Sequence, residues 1–358
     1  MNGETQPLLS RAAESVYWMA RYIERAENVA RFISVNVYLQ LDLPLEPAHQ
    51  WQPLIDTSGD ADVFKERYGE ANQASVIKFL TLDAENPNSI YSCLRAAREN
   101  ARSVRETISS GMWEQLNSMY LQIQSQRAMS GHEWMPEVLR DIRLACHMFQ
   151  GLTDATMSHN EAWHFLSLGR MMERADKTSR ILDVKYFMLL PSATVVGTPY
   201  DDLHWSAVLR SVSGFEMYRK KHGRIFPRDI VDFLIMDREF PRSFHHCINA
   251  ADEYLHAITG TPSGSFQYAS ERWMGILRSE LDYTSVDQII RDGLHEYLDR
   301  MQVTMNAIGD SLQNDFFASR AQSQSQSQSR SGSQSQSQSQ SQTNPPPQSQ
   351  TAIAGGSR

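Results

Sequence analysis

Between residues 16 and 37 the apolar positions Val16, Met19, Ile23, Ala26, Ala30, Ile33 and Val37 fall at steps of three and four. This is the pattern of an amphipathic helix with one buried face. A similar stripe recurs in Leu166, Leu168, Met172, Ala175, Ile181 and Val184. Sustained alternation of apolar and polar residues is missing, and no Asn-Gly or Asp-Gly pair joins two alternating runs as a hairpin would (Asn2-Gly3 and Asp292-Gly293 do not), so strands are not expected. Stretches rich in Pro, Gly, Ser and Asn break the chain instead: Asp42–Pro47, Glu85–Ser89, Leu189–Pro199 and Gly260–Ser265. The pattern predicts an all-α protein, a bundle of long helices joined by short loops.

Segments of the chain repeat. "RYIERAENVAR" (Arg21 to Arg31) returns as "RMMERADKTSR" (Arg170 to Arg180) at an offset of 149 residues. Arg21, Glu24, Arg25, Glu27 and Arg31 thereby align with Arg170, Glu173, Arg174, Asp176 and Arg180. "FLTLDAENPNSIYSCLRAARE" (Phe79 to Glu99) aligns with "FLIMDREFPRSFHHCINAADE" (Phe233 to Glu253) at an offset of 154, which also pairs Trp51 with Trp205 and Gly69 with Gly223. The expected architecture is two duplicated helical halves, about 8–158 and 159–318, around a pseudo-two-fold axis. After this folded part (1–318), residues 319–358 are almost entirely Ser, Gln, Gly and Pro. Such a tail cannot bury enough apolar surface to offset its ordering entropy and is expected to be disordered.

Composition narrows the class. An apolar share of 41% in 358 residues is ample for a core. The total charge of −8 includes three tail arginines (Arg320, Arg330, Arg358), leaving −11 on the rest, which argues against nucleic acid or an anionic membrane as partner. No apolar run approaches a bilayer span and the N-terminus lacks a signal-like core, so a cytoplasmic protein is expected. Three scattered cysteines (Cys93, Cys146, Cys247) form no metal or redox motif.

The repeated charged segments admit two readings. Glu27–Arg31 and Asp176–Arg180 are acid-before-base pairs at i,i+4, which suit a solvated helix face. A surface face, however, has no need to keep the same residue types in two otherwise divergent halves. The better account puts Arg21, Glu24, Arg25 and Arg31, with Arg170, Glu173, Arg174 and Arg180, into a partly buried ionic network between the halves, Arg21 with Glu24 and Arg170 with Glu173. Asp83 and Asp237 each precede a Pro that suits the first turn of a helix, where an acid favours the helix N-terminus; the more pointed reading has them reach these arginines.

The halves differ elsewhere. Arg95, Arg98, Arg102 and Arg105 form one basic stripe, followed by Trp113, Glu114 and Asn117 on one helix face; the second-half counterparts are Asn249, Asp252, His256 and Thr259. Aligned guanidiniums can hold a carboxylate or phosphate, or simply face solvent beside Glu99 and Glu106.

"LSRAAESVYWMARYIERAENVARF" and "WHFLSLGRMMERADKTSRILDVKY" resemble the two signature segments of the alpha-E domain family, helical proteins named for a Glu-Arg pair. "SCLRAARENARSVRETISSGMWEQLN" and "FLIMDREFPRSFHHC" resemble further family segments; the tail has no counterpart. The resemblance implies a bacterial protein working beside a circularly permuted ATP-grasp ligase and transglutaminase-like proteins, some members also beside a proteasome-related peptidase. It supplies no settled reaction and no cofactor.

Catalytic constellations are weak. His245-His246 diverge by about 100° on a helix and "HNEAWH" lacks an i,i+4 histidine pair, so no metal site is expected. No phosphate loop and no GxSxG appear. Two functions remain: a non-catalytic adaptor that presents or orients a peptide or acidic substrate for an ATP-grasp amide ligase, or a helical enzyme using Glu24 or Glu173 as general base. Adjacent arginines favour the adaptor because they lower a carboxylate's pKa. The substrate, the physical partner and the oligomeric state are not readable from the chain.

Overall fold

A computed structural model of the chain describes residue 8 and residues 10–42, 47–128, 136–189 and 199–318. The tail from residue 319 lies outside the described residues. Among the described residues the fold is all-helical, with fifteen α-helices and no strand. The first series is α1 (Ser10–Asp42), α2 (Pro47–Ser58), α3 (Ala61–Tyr68), α4 (Gln73–Thr81), α5 (Ile90–Ser103), α6 (Ser110–Ala128) and α7 (Pro136–Thr156). The second is α8 (Glu161–Leu189), α9 (Pro199–Ser211), α10 (Phe215–His222), α11 (Pro227–Ile235), α12 (Phe244–Thr259), α13 (Ala269–Tyr283), α14 (Val286–Asp292) and α15 (Leu294–Leu312), closed by a π-helical turn over Gln313–Ala318.

The apolar stripe of α1 is wholly buried, from Val16 and Met19 to Ile33 and Val37. Its counterpart on α8 buries Leu166, Leu168, Met172, Ala175 and Ile181. These two helices make the most extensive helix–helix contact in the fold. Around α1 pack α5 and α7, with α6 bridging them; around α8 pack α12 and α15, bridged by α13. Each long helix also reaches into the other series, α1 onto α9 and α8 onto α2. The polar face of each motif is therefore inside the molecule.

Local chemistry starts and stops these helices. Ser89 and Ser243 are N-caps of α5 and α12, their hydroxyls accepting from the backbone N–H of Ser92 and His246, each at 3.1 Å. Pro87 and Pro241 stand two residues before these caps, not in the first turn as expected. They close the loop ahead of the helix instead. α12 stops at Gly260, left-handed at φ 72°, whose N–H bonds the His256 carbonyl.

Candidate functional site

α1 and α8 cross with their Glu-Arg pairs facing one another. Glu24 and Arg25, adjacent on α1, point about 100° apart, and each reaches across to the other helix. Arg25 holds Glu173 in a two-pronged bond, Nε to Oε1 at 2.6 Å and Nη2 to Oε2 at 2.9 Å. Arg174 holds Glu24 likewise, at 2.9 and 3.0 Å. Each Glu-Arg pair thus gives its acid and its base to the opposite helix. Glu24 and Glu173 are both buried.

Further groups complete each acid's shell. Arg21 Nε donates to Glu173 at 2.9 Å, and its guanidinium lies 4.9 Å from the Trp18 ring. Glu24 accepts from Arg242 Nη1 at 2.9 Å and from Gln150 Nε2 at 3.0 Å. Glu27 pairs with Arg31 at 2.6 Å and with Arg242 at 3.1 Å, while His147 approaches to 3.5 Å. Arg31 also donates to Asn28 Oδ1 and, at 2.7 Å, to the Ser211 carbonyl. That carbonyl ends α9, where a cation is favoured by the helix dipole. On the other side Asp176 pairs with Arg180 at 2.9 Å.

The cation beside each pair of acids comes from different positions. Arg242 serves Glu24 and Glu27; at the 154 offset its counterpart is Asn88, which instead accepts from Arg25 at 2.7 Å. Lys177 stands 3.9 Å from Glu173 and 3.3 Å from Asp176; at the 149 offset its counterpart is Asn28, beside Arg242. An arginine and an asparagine on one side thus answer an asparagine and a lysine on the other.

Burial alone would raise the Glu24 carboxyl, but Arg174 and Arg242 outweigh it and hold it down to about 2. Glu27 and Glu173 are lowered further, burial being overcome by Arg31 and Arg242 for Glu27 and by Arg25 and Arg21 for Glu173. Arg31 pays for this crowding: burial, then Arg242, lower it to about 9. The motif carboxylates are fully paired anions, shut from solvent.

Several sequence expectations require correction. Glu24 and Glu173 do lie between α1 and α8, but Arg21 serves Glu173 and not Glu24. Arg170 serves neither; it stands 3.8 Å from Asp154. Asp83 and Asp237 do not reach the motif arginines. Asp83 pairs with Arg67 at 3.0 Å and accepts from the Tyr68 hydroxyl, and Asp237 pairs with Lys221 at 2.6 Å. Both acids also accept backbone N–H groups in their own loops, from Glu85 and from Glu239. Arg242, Gln150 and His147 were missed. Only Arg242 left a signal, as a charge facing Asn88 within closely matched segments.

The basic stripe is a second cluster, on α5, α6 and the loop between them; α5 ends at Ser103, so Arg105 lies in that loop and not on the same helix as Arg95, Arg98 and Arg102. Arg98 donates to Asn117 Oδ1 at 2.7 Å and lies over the Trp113 and Tyr120 rings at 5.6 and 5.0 Å. Arg105 covers Trp113 at 4.6 Å, while Arg95 and Arg127 flank Tyr91 at 5.5 and 4.7 Å. Arginines alternate along the face with aromatic rings, Trp113 and Tyr120 half-buried and Tyr91 buried. Arg95, Arg102 and Arg105 are exposed, as is Glu114, and Glu99 pairs with Arg98 and Arg102.

Cys93 and Cys247 are buried and their thiols pushed up to about 12; burial also raises Cys146. These are poor nucleophiles. His245 faces Asp282 at 3.1 Å, and His159 stacks on Trp163 at 4.0 Å. Among the described residues no group of three or more His, Cys, Asp or Glu could hold a metal ion, and no helix is long and apolar enough to cross a membrane.

A family model, Alpha-E, described as a predicted alpha-helical domain with a conserved ER motif, matches residues 8–317. Uncharacterized proteins of Mycobacterium bovis and Mycobacterium tuberculosis are each 21% identical to the chain over 334 residues, 83% of this chain and 35% of theirs. The chain therefore spans about a third of the length of these curated relatives. No solved structure gives a significant match.

Proposed function

Because the chain belongs to the Alpha-E family, and its ER pairs lock α1 to α8, we propose that it is a duplicated helical adaptor. In this reading it works with a circularly permuted ATP-grasp amide or peptide ligase, alongside transglutaminase-like proteins, and presents or orients a peptide or acidic substrate. The partner class rests on the family resemblance. Duplication around a pseudo-two-fold axis is supported by contacts that recur at the two offsets: the crossed Glu-Arg pairs, Arg67–Asp83 with Lys221–Asp237, and the Ser89 and Ser243 caps. Gly59 and Ser213 also correspond, and both take left-handed backbone, φ 82° and 53°.

The observation that carries the adaptor reading is the arginine–aromatic face of α5 and α6, which the equivalent face of α12 and α13 lacks. Rings hold the guanidiniums in place, so less side-chain entropy is lost when an anionic partner docks. The alternative, Glu24 or Glu173 as general base, needs a carboxylate that takes up protons near neutrality. Both are held low by paired guanidiniums, which argues against it.

The test is binding between the purified chain and the ATP-grasp protein. Arg102→Glu with Arg105→Glu, both exposed positions, should weaken association at least about tenfold and flatten its salt dependence. Arg219→Glu with Lys220→Glu, the same charge change on exposed α10, should have little effect. Equal effects from both pairs, or none from the first, would reduce the stripe to a solvated face. ATP turnover or amide hydrolysis by the isolated chain that vanishes in Glu24→Gln would replace the adaptor by an enzyme.

A further inference from the structure

The face of α12 and α13 carries a different chemistry from its α5–α6 counterpart. Between α12, the 260–268 loop and α13 lies an open groove of about 600 Å³, within the range of small-molecule sites. Asp252 lines it, only 2% exposed. Its Oδ2 accepts from Arg278 Nη1 at 2.6 Å, but its Oδ1 has no hydrogen bond. A buried carboxylate oxygen without a donor is costly and calls for an explanation. His256 Nε2 stands 3.5 Å from that oxygen. That contact makes no hydrogen bond, and His256 Nδ1 is turned to the Thr261 carbonyl at 3.0 Å, with Glu271 at 3.7 Å.

The rest of the lining narrows the ligand. Asp252, Glu271 and Asp282 supply three carboxylates, and Arg272 and Arg278 two guanidiniums. Glu271 is committed to the backbone N–H groups of Gln267 and Tyr268 and to the Thr259 hydroxyl, and Asp282 to Arg238 at 2.7 Å. Asp252 therefore has the unmet acceptor. Arg272 is exposed on the rim and has no ion-pair partner among the described residues. A simple cation would meet the arginines, and a simple anion the acids. Phe266 and Tyr283, 61% and 90% exposed, stand at the edges, and a Cβ on Gly275 would meet nothing within 4 Å, so the floor there is open.

We propose that this groove binds a small zwitterion, an amino acid or short peptide, its ammonium donating to Asp252 and its carboxylate held by Arg272, with apolar substance against Phe266 and Tyr283. The free amino acid and the peptide share the two charged ends, and separate probes distinguish them.

Calorimetric titration of the full chain with L-phenylalanine and with L-alanyl-L-phenylalanine tests this, each beside its N-acetyl and C-amide derivative. At least one zwitterion should bind, and acetylation or amidation should each weaken it by about tenfold or more. Asp252→Asn and Arg272→Ala should have the same effect. Gly275→Met should plug the groove and abolish binding while leaving helical circular dichroism intact, because the added side chain enters open space and methionine is the better helix former. This variant decides the matter should Asp252→Asn fail to fold. No heat from either zwitterion at about 10 mM, binding that survives Gly275→Met, or equal affinity for the amide and the free acid would overturn the proposal.

Discussion

Glu173 accepts three charge-assisted hydrogen bonds, from Arg21 and Arg25, at a position closed to water. Removing it leaves two guanidiniums facing each other without an anion. Glu173→Ala should therefore cost about 3–5 kcal/mol in urea unfolding, and Glu24→Ala, which strands Arg174 and leaves Arg242 only Glu27, a similar amount. Losses below about 0.5 kcal/mol at both sites would return the motif to the level of a surface ion pair. Acid should reveal the same contacts. Glu24 is lowered from its ordinary value to about 2 and Glu27 and Glu173 are lowered too, so their contribution is fully present above the unfolded-state carboxyl range and is lost as pH falls through it towards 2. Stability measured from pH 5 downward should fall steeply in wild type and less so in Glu173→Gln; parallel profiles would contradict this. The i,i+4 pairs Glu27–Arg31 and Asp176–Arg180 were legible from spacing alone, since a single helix fixes them. The crossed pairs were not, because the partner of Glu24 depends on how α8 lies across α1. Arg242 was harder still, reaching Glu24 from a loop 218 residues away.

The close approach of α1 and α8 depends on Gly169. A Cβ there would stand 2.4 Å from the Tyr17 carbonyl oxygen, which belongs to helix backbone and cannot swing aside. Gly169→Ala should destabilise by about 1–3 kcal/mol, although alanine is the better helix former by about 1 kcal/mol. Gly151 on α7 is a matched control, since a Cβ there meets nothing within 4 Å. Gly151→Ala should be neutral or stabilising by up to about 1 kcal/mol, as read from paired thermal melts; two glycines behaving alike would contradict the close approach. Helix periodicity located the elements well. The α1 stripe from Val16 to Val37 is buried along its length, and the breaks at Glu85–Ser89 and Gly260–Ser265 fall between helices as expected. Less visible were the short breaks around Gly69 and Gly223, where one residue of positive φ ends a helix with no cluster of turn residues. Spacing within one Glu-Arg helix fits a solvated face, and only the repeat of the motif in both halves pointed to a partly buried network. Packing by both series made that face interior.

At the scale of the whole molecule, two helical series are held together by their longest members, and the ionic groups sit where those members cross. Hydrophobic burial supplies most of the attraction between α1 and α8, being roughly proportional to the apolar area removed from water. The crossed pairs select one alignment, since a shift along either helix would leave buried charges unpaired. Outside this core lie the arginine–aromatic face of α5 and α6 and the groove between α12 and α13, where binding partners are proposed to engage. Each Glu-Arg pair acts between helices and not within one. Double-mutant cycles in equilibrium unfolding test this most directly. A coupling of about 2 kcal/mol or more is expected between Glu24 and Arg174, and less than about 0.5 kcal/mol between Glu24 and its sequence neighbour Arg25. A strong Glu24–Arg25 coupling with a negligible Glu24–Arg174 term would contradict it.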